Sequence, residues 1–333
     1  MRFPPTSRSG RRAGQSREAE ARPDEARTAE ARTDESRPDE ASPACARPPR
    51  LFSGYVLDLD GTVYLGGEAL PGSVETLARI RAAGARVVFL TNNPLRSAAS
   101  YAELLRGIGI QAADHEIVTP LSVLPGYLSQ RYPGAVALTV AEPLVDQTLA
   151  AAGIAVTTEP SLADVVVVSF DRTFDYTKLL RAFRAVRKHG AAIVATNPDP
   201  FCPTPDGGLP DCGAVLAAVE AASGTRASAV LGKPGPEMAA EVRARLGVPP
   251  TDAAMVGDRL LTDVAMSRAL GMTSILVLSG ATSAGDLARS DVRPDYVIDG
   301  LGDLLPEPDL RPGTGSLASR PPPAHPQAHR SPP

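Results

Sequence analysis

The chain has 333 residues, a formal net charge of -4, 43% hydrophobic but only 4% aromatic residues, and no Trp. That is room for about two domains of ~150 residues, and the mild acidity excludes the strongly basic domain of a typical nucleic-acid binder. Three Cys in so long a chain exclude a disulfide scaffold. Apolar runs such as Val165–Val168 are too short to cross a bilayer, and Met1-Arg2-Phe3-Pro4-Pro5 does not open a secretory signal. A soluble, cytoplasmic protein with no nucleic-acid or membrane partner is expected.

Residues 1–50 hold seven of the 33 prolines, and 306–333 hold nine. Within the first stretch the chain stutters through Ala21-Arg-Pro-Asp-Glu25, Ala31-Arg-Thr-Asp-Glu35 and Ser36-Arg-Pro-Asp-Glu40. Such segments lack the large apolar residues needed to offset ordering entropy, so both are expected to be disordered tails. From Leu51 onward the pattern alternates. Gly54–Asp60 is a buried-strand pattern, and Ser73–Ala83 has helical spacing at Val74, Leu77, Ala78 and Ile80 before Gly84 ends it. Ala85–Leu90 is the next strand and Ala98–Ile108 the next helix. Further strands are expected at 136–140, 154–158, 164–169, 191–196, 253–257, 273–278 and 295–298. Helices are expected at 143–152, 176–188, 213–222, 236–246 and 262–270. Val-rich strands without polar alternation, in the order βαβα, predict an α/β fold whose parallel sheet is covered on both faces. Its chemistry belongs beyond the carboxyl ends of the strands.

At the first such end stands Asp58-Leu59-Asp60-Gly61-Thr62. Two carboxylates this close repel unless a cation or a proton intervenes. Alone the pattern also opens calcium loops and ordinary turns, but the repeated Asp and the Glu at position 12 of a calcium loop are missing. The second strand ends in Thr91-Asn92-Asn93-Pro94, whose hydroxyl and amide donors suit a phosphoryl oxygen or a simple capping turn. Gly232-Lys233-Pro234 is no P-loop, because Ala227 stands at the first Gly position and Pro234 at the Ser/Thr. Gly257-Asp258-Arg259 follows the buried run Ala253–Val256, with Thr262 and Asp263 placed to cap the next helix or complement its dipole.

Taken in order, Asp58-Leu-Asp-Gly-Thr62, Thr91-Asn-Asn93, Lys233, and Gly257-Asp258 with Asp263 resemble the four-motif signature of the haloacid dehalogenase (HAD) superfamily of phosphohydrolases. Thr62-Val-Tyr-Leu-Gly66, Pro71-Gly72 and Gly257-Asp-Arg259 resemble its subfamily IIA, the NagD-like or p-nitrophenylphosphatase-like branch. So does Thr196-Asn-Pro-Asp199 with Pro203 and Pro210 before Gly213. The resemblance covers residues 51–305. It implies a Rossmann-like core with a parallel sheet over 51–133 and 226–305, and an inserted α/β cap of the C2 type over 134–225.

The resemblance also implies a chemistry. Asp58 would attack the phosphorus of a small phosphorylated metabolite and form an aspartyl-phosphate, while Asp60 would protonate the leaving oxygen and later activate water. Mg²⁺ would be held by Asp58, the backbone carbonyl of Asp60, and Asp258, with Asp263 tuning that shell from behind. Thr91 and Lys233 would hold phosphate oxygens, with Asn92 as an added donor. Sugar phosphates, phosphoglycolate and nucleoside monophosphates are the substrate candidates; a phosphomutase and a non-catalytic phosphate-binding or scaffold module are the alternative readings. A second copy meeting the first through the cap is the candidate assembly.

In this family the cap closes over the leaving group, and the segment Asp206–Gly213 is expected to face it. Many relatives carry a small residue where Asp211 stands, so Asp211 is the candidate that sets specificity here, by repelling anionic leaving groups. Asp171 and Tyr176 are further cap candidates, readable equally as a turn residue and a helix-start core residue. Cys202 and Cys212 do not have redox spacing and are read as structural. His115 and His189 lie outside every motif, which disfavours a histidine phosphatase or a zinc hydrolase.

Overall fold

The computed structural model describes residues 47–202, 204 and 207–306. Strand β1 (Gly54–Asp58) is followed by a ribbon of β2 (Tyr64–Leu65) and β3 (Glu68–Ala69), then by α1 (Ser73–Ala82) and β4 (Arg86–Leu90). Helix α2 (Ala98–Gly107) leads to the short β5 (Ile117–Val118) and to α3 (Pro120–Arg131). A second series follows: β6 (Ala137–Val140), α4 (Pro143–Ala151), β7 (Val156–Thr157), β8 (Val165–Val168), α5 (Tyr176–His189) and β9 (Ala192–Ala195). A ribbon of β10 (Phe201–Cys202) and β11 (Leu209–Pro210) precedes α6 (Cys212–Ser223) and β12 (Ala229–Val230). The first series then resumes with α7 (Pro236–Leu246), β13 (Ala253–Gly257), α8 (Ala265–Leu270), β14 (Thr273–Val277), α9 (Ala284–Arg289) and β15 (Tyr296–Ile298).

The two series form two parallel sheets. One has the order β15-β14-β13-β1-β4-β5 and the other β12-β9-β8-β6-β7. The expected α/β class with an inserted α/β layer is therefore what the chain adopts. Strands such as Val165–Val168 are buried along their whole length, as both faces of a covered parallel sheet require. One apolar cluster joins the sheets: Val56 and Val88 of the first, Leu124 of α3, Met238 and Val242 of α7, and Val165 and Val167 of the second. The inserted layer thus shares a core with the first sheet.

Several boundaries differ from the sequence reading. Residues 1–46 and 307–333 lie outside the described residues, as do Pro203 and Asp206. Arg47–Arg50, assigned above to the tail, belong to the folded body. Arg50 pairs with Asp252 at 2.5 Å and lies 4.3 Å over the Phe52 ring, and Arg47 pairs with Asp303. The inserted sheet runs past residue 225, because β12 pairs with β9. No apolar run marks so short a strand; only its partner makes it one. The strand expected over 54–60 ends at Asp58, where Thr62, Val63 and Tyr64 N–H groups all turn back to the Leu59 carbonyl. Among the described residues no helix is long and apolar enough to cross a membrane.

Candidate active site

Asp58 ends β1, Thr91 and Asn92 follow β4, and Asp258 follows β13, so the carboxyl edge of one sheet collects three of the four motifs. Lys233 arrives from the other sheet, with only Leu231 and Gly232 between it and β12. Its Nζ contacts Asp58 Oδ1 and lies 2.7 Å from Asp263 Oδ1. Asp58, Asp258 and Asp263 bring carboxylate oxygens within 4.8 Å of one another, all buried. Three carboxylates and one ammonium leave this buried cluster negative, which calls for a proton or a further cation.

The titration behaviour follows. Burial holds the Asp58 carboxyl well above its usual range; Lys233 pulls it down, and Asp263 and Asp258 add to the rise. Burial and the Asp263 carboxylate push Asp258 up to about 6. Burial alone would lower Lys233, but the Asp263 and Asp58 carboxylates more than offset it and keep the ammonium charged. Asp60 is partly buried, accepts from Tyr64 Oη at 3.4 Å, and is raised by burial against the pull of Lys233.

Whether a divalent cation fits is decided oxygen by oxygen. Asp258 Oδ2 accepts from Ala281 N at 2.6 Å, but buried Asp258 Oδ1 has no hydrogen-bond partner. An orphaned buried carboxylate oxygen beside other carboxylates suits a hard, oxygen-seeking ion. Asp263 is different: Oδ1 takes Lys233 and Oδ2 accepts from Arg259 N at 3.0 Å. The loop Leu59–Tyr64 depends on Gly61, whose φ is +88° and whose Cβ would lie 2.7 Å from Asp258 Oδ2. A side chain here would meet both backbone strain and the carboxylate.

One cavity is lined by Asp58, Asp60, Thr91, Asn92, Lys233 and Asp211, all singled out in the sequence. Asn93, Asp199, Phe201, Cys202 and Arg259 complete its wall. Asp199 and Arg259 stood in quoted motifs without a role; their position just past strand ends was the available signal. Asp211 caps α6, accepting from Cys212 N and, at 3.4 Å, from Asn197 Nδ2 with the same Oδ1. Burial raises its carboxyl to about 7. Burial also pushes Cys202 and Cys212 to about 12, so neither is a ready thiolate.

Other candidates fall elsewhere. Asp171 accepts from Thr173 N at 2.9 Å and pairs with Lys178 at 2.5 Å, a turn role. Tyr176 is 76% exposed, neither core nor cavity. Thr262 does not cap a helix: the chain enters α8 through a π-helical turn over Leu260–Val264, and the Thr262 hydroxyl is buried without a partner. Asp263 lies in the first turn, accepts from Arg259 N and also pairs with Lys233. His115 and His189 line no part of the cavity.

Where Lys233 approaches the first sheet there is no spare room. A Cβ on Gly232 would lie 2.7 Å from Asn92 Oδ1 and 2.8 Å from both Asn197 Cβ and the Thr196 carbonyl oxygen. Gly232→Ala is therefore expected to destabilise the protein by roughly 1–3 kcal/mol, the range for overpacking a buried site. Urea denaturation measures this; an unchanged midpoint would mean that the seam can yield.

Comparison with known proteins agrees with this geometry. A haloacid dehalogenase-like hydrolase family model matches residues 55–155, and a HAD-hydrolase-like model matches 230–304. The sugar-phosphatase AraL of Bacillus subtilis is 33% identical, over 76% of this chain and 92% of the relative. The crystal structure of a 4-nitrophenylphosphatase from Thermotoga maritima is 36% identical, covering 76% of this chain and 95% of that one at a TM-score of 0.70. That of a Mycobacterium tuberculosis glycerol phosphate phosphatase in complex with magnesium is 34% identical, covering 76% of each chain at 0.69. The paired sheets, the acidic strand ends and these likenesses agree, and the chain belongs to the haloacid dehalogenase-like hydrolases. Within them it is a phosphatase, a phosphoric monoester hydrolase of the p-nitrophenylphosphatase-like branch.

Proposed function

We propose that the chain is a Mg²⁺-dependent phosphatase for small phosphomonoesters with neutral, hydroxyl-rich leaving groups, such as sugar or polyol phosphates. The observation that carries this is Lys233, held between Asp58 and Asp263 beside the bare Oδ1 of Asp258. An Asp58 carboxylate oxygen attacks phosphorus, and the bond to the leaving oxygen breaks as that oxygen takes the Asp60 proton. Burial raises the Asp60 carboxyl, the direction a proton donor requires, while Lys233 at Asp58 favours the ionised nucleophile. Water then attacks the aspartyl-phosphate, giving its proton back to Asp60 and freeing Asp58. Lys233 and Thr91 hold the phosphoryl oxygens. Asp58, Asp258 and the Asp60 carbonyl would hold Mg²⁺, which when bound neutralises charge on the phosphoryl group; Asp263, with both oxygens engaged, stands behind it. The mycobacterial relative's structures with magnesium and with calcium support a divalent cation, and the names of the relatives support sugar and glycerol phosphates.

The direct test is hydrolysis of p-nitrophenyl phosphate with and without Mg²⁺, followed by a panel of phosphorylated metabolites. No turnover under either condition would overturn the reading.

Asp211 bears on the leaving group. Its Oδ1 is engaged as the cap of α6, and among the described residues no hydrogen bond to Oδ2 is found. A carboxylate here accepts from hydroxyls and repels a second anion. Because its carboxyl sits at about 7, it is neutral below that pH and charged above it. Rejection of phosphoglycolate relative to glycerol phosphate should therefore grow as pH rises from 6 to 8. Asp211→Asn, which keeps a capping oxygen, should raise the phosphoglycolate to glycerol phosphate ratio of kcat/KM by about tenfold at pH 8 and hardly change it at pH 6. An unchanged ratio at both pH values would leave Asp211 as a helix cap only.

A further inference from the structure

At the cavity, one side chain bonds across the seam between the two sheets. Asn92 Oδ1 accepts from Lys233 N at 2.7 Å, and Asn92 Nδ2 donates to the Lys233 carbonyl at 3.3 Å. The same Nδ2 donates to Asp199 Oδ2 at 2.9 Å, and the Asn92 backbone carbonyl accepts from Asn197 Nδ2 at 2.9 Å. Asn92 follows β4 of the first sheet, whereas Asn197 and Asp199 follow β9 of the second. Asp199 is 8% exposed. Its Oδ1 lies 3.9 Å from Arg259 Nη1, and Arg259 Nη2 donates to the Phe201 carbonyl at 2.9 Å. Asp199 makes no hydrogen bond to Asp58, Asp258 or Asp263. A chain of contacts nonetheless runs from Asp199 through Asn92 and the Lys233 backbone to the Lys233 ammonium at Asp58.

We infer that Asp199 is a positioning residue for the phosphoryl site: through Asn92 it sets where Lys233 presents its ammonium, so the inserted layer and the nucleophile pocket act as one unit. This rests on Lys233 being the group that holds a phosphoryl oxygen. The Asn92 carboxamide is engaged on both ends, so the phosphate donor expected of this residue would be its backbone N–H. Only the amide nitrogen can meet the Asp199 carboxylate and only the amide oxygen can meet Lys233 N. Asp199 therefore anchors the amide in the orientation that the Lys233 backbone also selects, through a charge-assisted bond. Without it the amide keeps its two bonds to the Lys233 backbone but loses its charged anchor, so Asn92 and Lys233 are held less firmly in place.

A leaving-group contact would behave differently, because Asp199 also lines the cavity. Positioning of Lys233 acts on the phosphoryl group, which every substrate shares; contact with the leaving group acts on what differs. The full chain is first assayed on p-nitrophenyl phosphate with Mg²⁺, so that absence of turnover counts against the phosphatase reading and not against this one. Asp199→Ala and Asp199→Asn are then compared on acetyl phosphate, which has a minimal leaving group, and on a hexose phosphate. The expected result is an equal fall in kcat on both substrates for Asp199→Ala, on the order of 10²-fold. Inhibition by inorganic phosphate weakens as well. Asp199→Asn recovers most of the activity, because its amide oxygen still accepts from Asn92. Adding Asp199→Ala to Asn92→Ala costs little more, because Asp199 then has nothing to act through. A loss confined to the hexose phosphate, with acetyl phosphate turnover and phosphate inhibition unchanged, would overturn the inference, and so would additive losses in the double variant. Should Asp199→Ala not fold, Asp199→Ser, whose hydroxyl falls short of Asn92, replaces it with the same outcomes.

Discussion

Asp58→Asn is expected to abolish turnover and to leave the protein folded. Phosphate monoester hydrolysis is among the slowest uncatalysed reactions, so an enzyme supplies on the order of 20 kcal/mol or more. A carboxamide of the same shape cannot form the acyl phosphate, and the two-step route is closed. The loss in kcat should span several decades, on the order of 10⁴-fold or more. Folding is spared for a local reason. Lys233 keeps its bond to Asp263 at 2.7 Å, so the buried ammonium is not left unpaired, the situation that makes broken ion pairs costly. Removing one of three crowded carboxylates also relieves repulsion, so the melting temperature should hold or rise. Single-turnover assays and a thermal melt measure both halves. Retention of most of the activity would rule out Asp58 as the nucleophile.

Chelation should produce the second large effect, with turnover lost in excess chelator and restored by Mg²⁺. In Asp258→Ala the Mg²⁺ concentration for half-maximal activity should rise by about 100-fold or more, the upper end of what even supporting residues cost a metal site. Asp258 is 1% exposed with one oxygen free of any partner, and a ligand must be deprotonated to bind. Its carboxyl stands at about 6, so Mg²⁺ affinity should fall as pH drops through that value and hold above it. Calorimetric titration of Mg²⁺ reads this without turnover. Alanine also strands the Ala281 N–H that donates to Asp258 Oδ2, so Asp258→Asn separates loss of charge from loss of packing. Wild-type activity in excess chelator would remove the metal from the mechanism.

How much of this could be read along the chain depends on distance in sequence. Asp58 and Asp258 were legible because each directly follows a short apolar run that can only be a buried strand, and parallel sheets concentrate chemistry at such ends. The same periodicity marked most helices and the long strands of both sheets. Most of the two-residue strands were not legible. The β2–β3 and β10–β11 ribbons and β12 are two residues per strand, too few for a period to register. The folded body's start at Arg47 likewise depends on partners at Asp252 and Asp303.

By itself, the sequence determined the α/β class and the family and singled out candidate site residues, because those follow from local period and from motifs whose members lie a few positions apart. Tertiary structure alone decided what each polar atom does. Asn92 looks like a phosphate donor in Thr91-Asn92-Asn93, yet its carboxamide is committed to Lys233 and Asp199, residues more than a hundred positions away. Thr262 and Asp263 look like a helix cap, yet a π-helical turn carries Asp263 to Lys233. A side chain's propensity is set by its neighbours in the chain. The partner that satisfies a buried donor or acceptor is set by whichever distant segments the core packs against it.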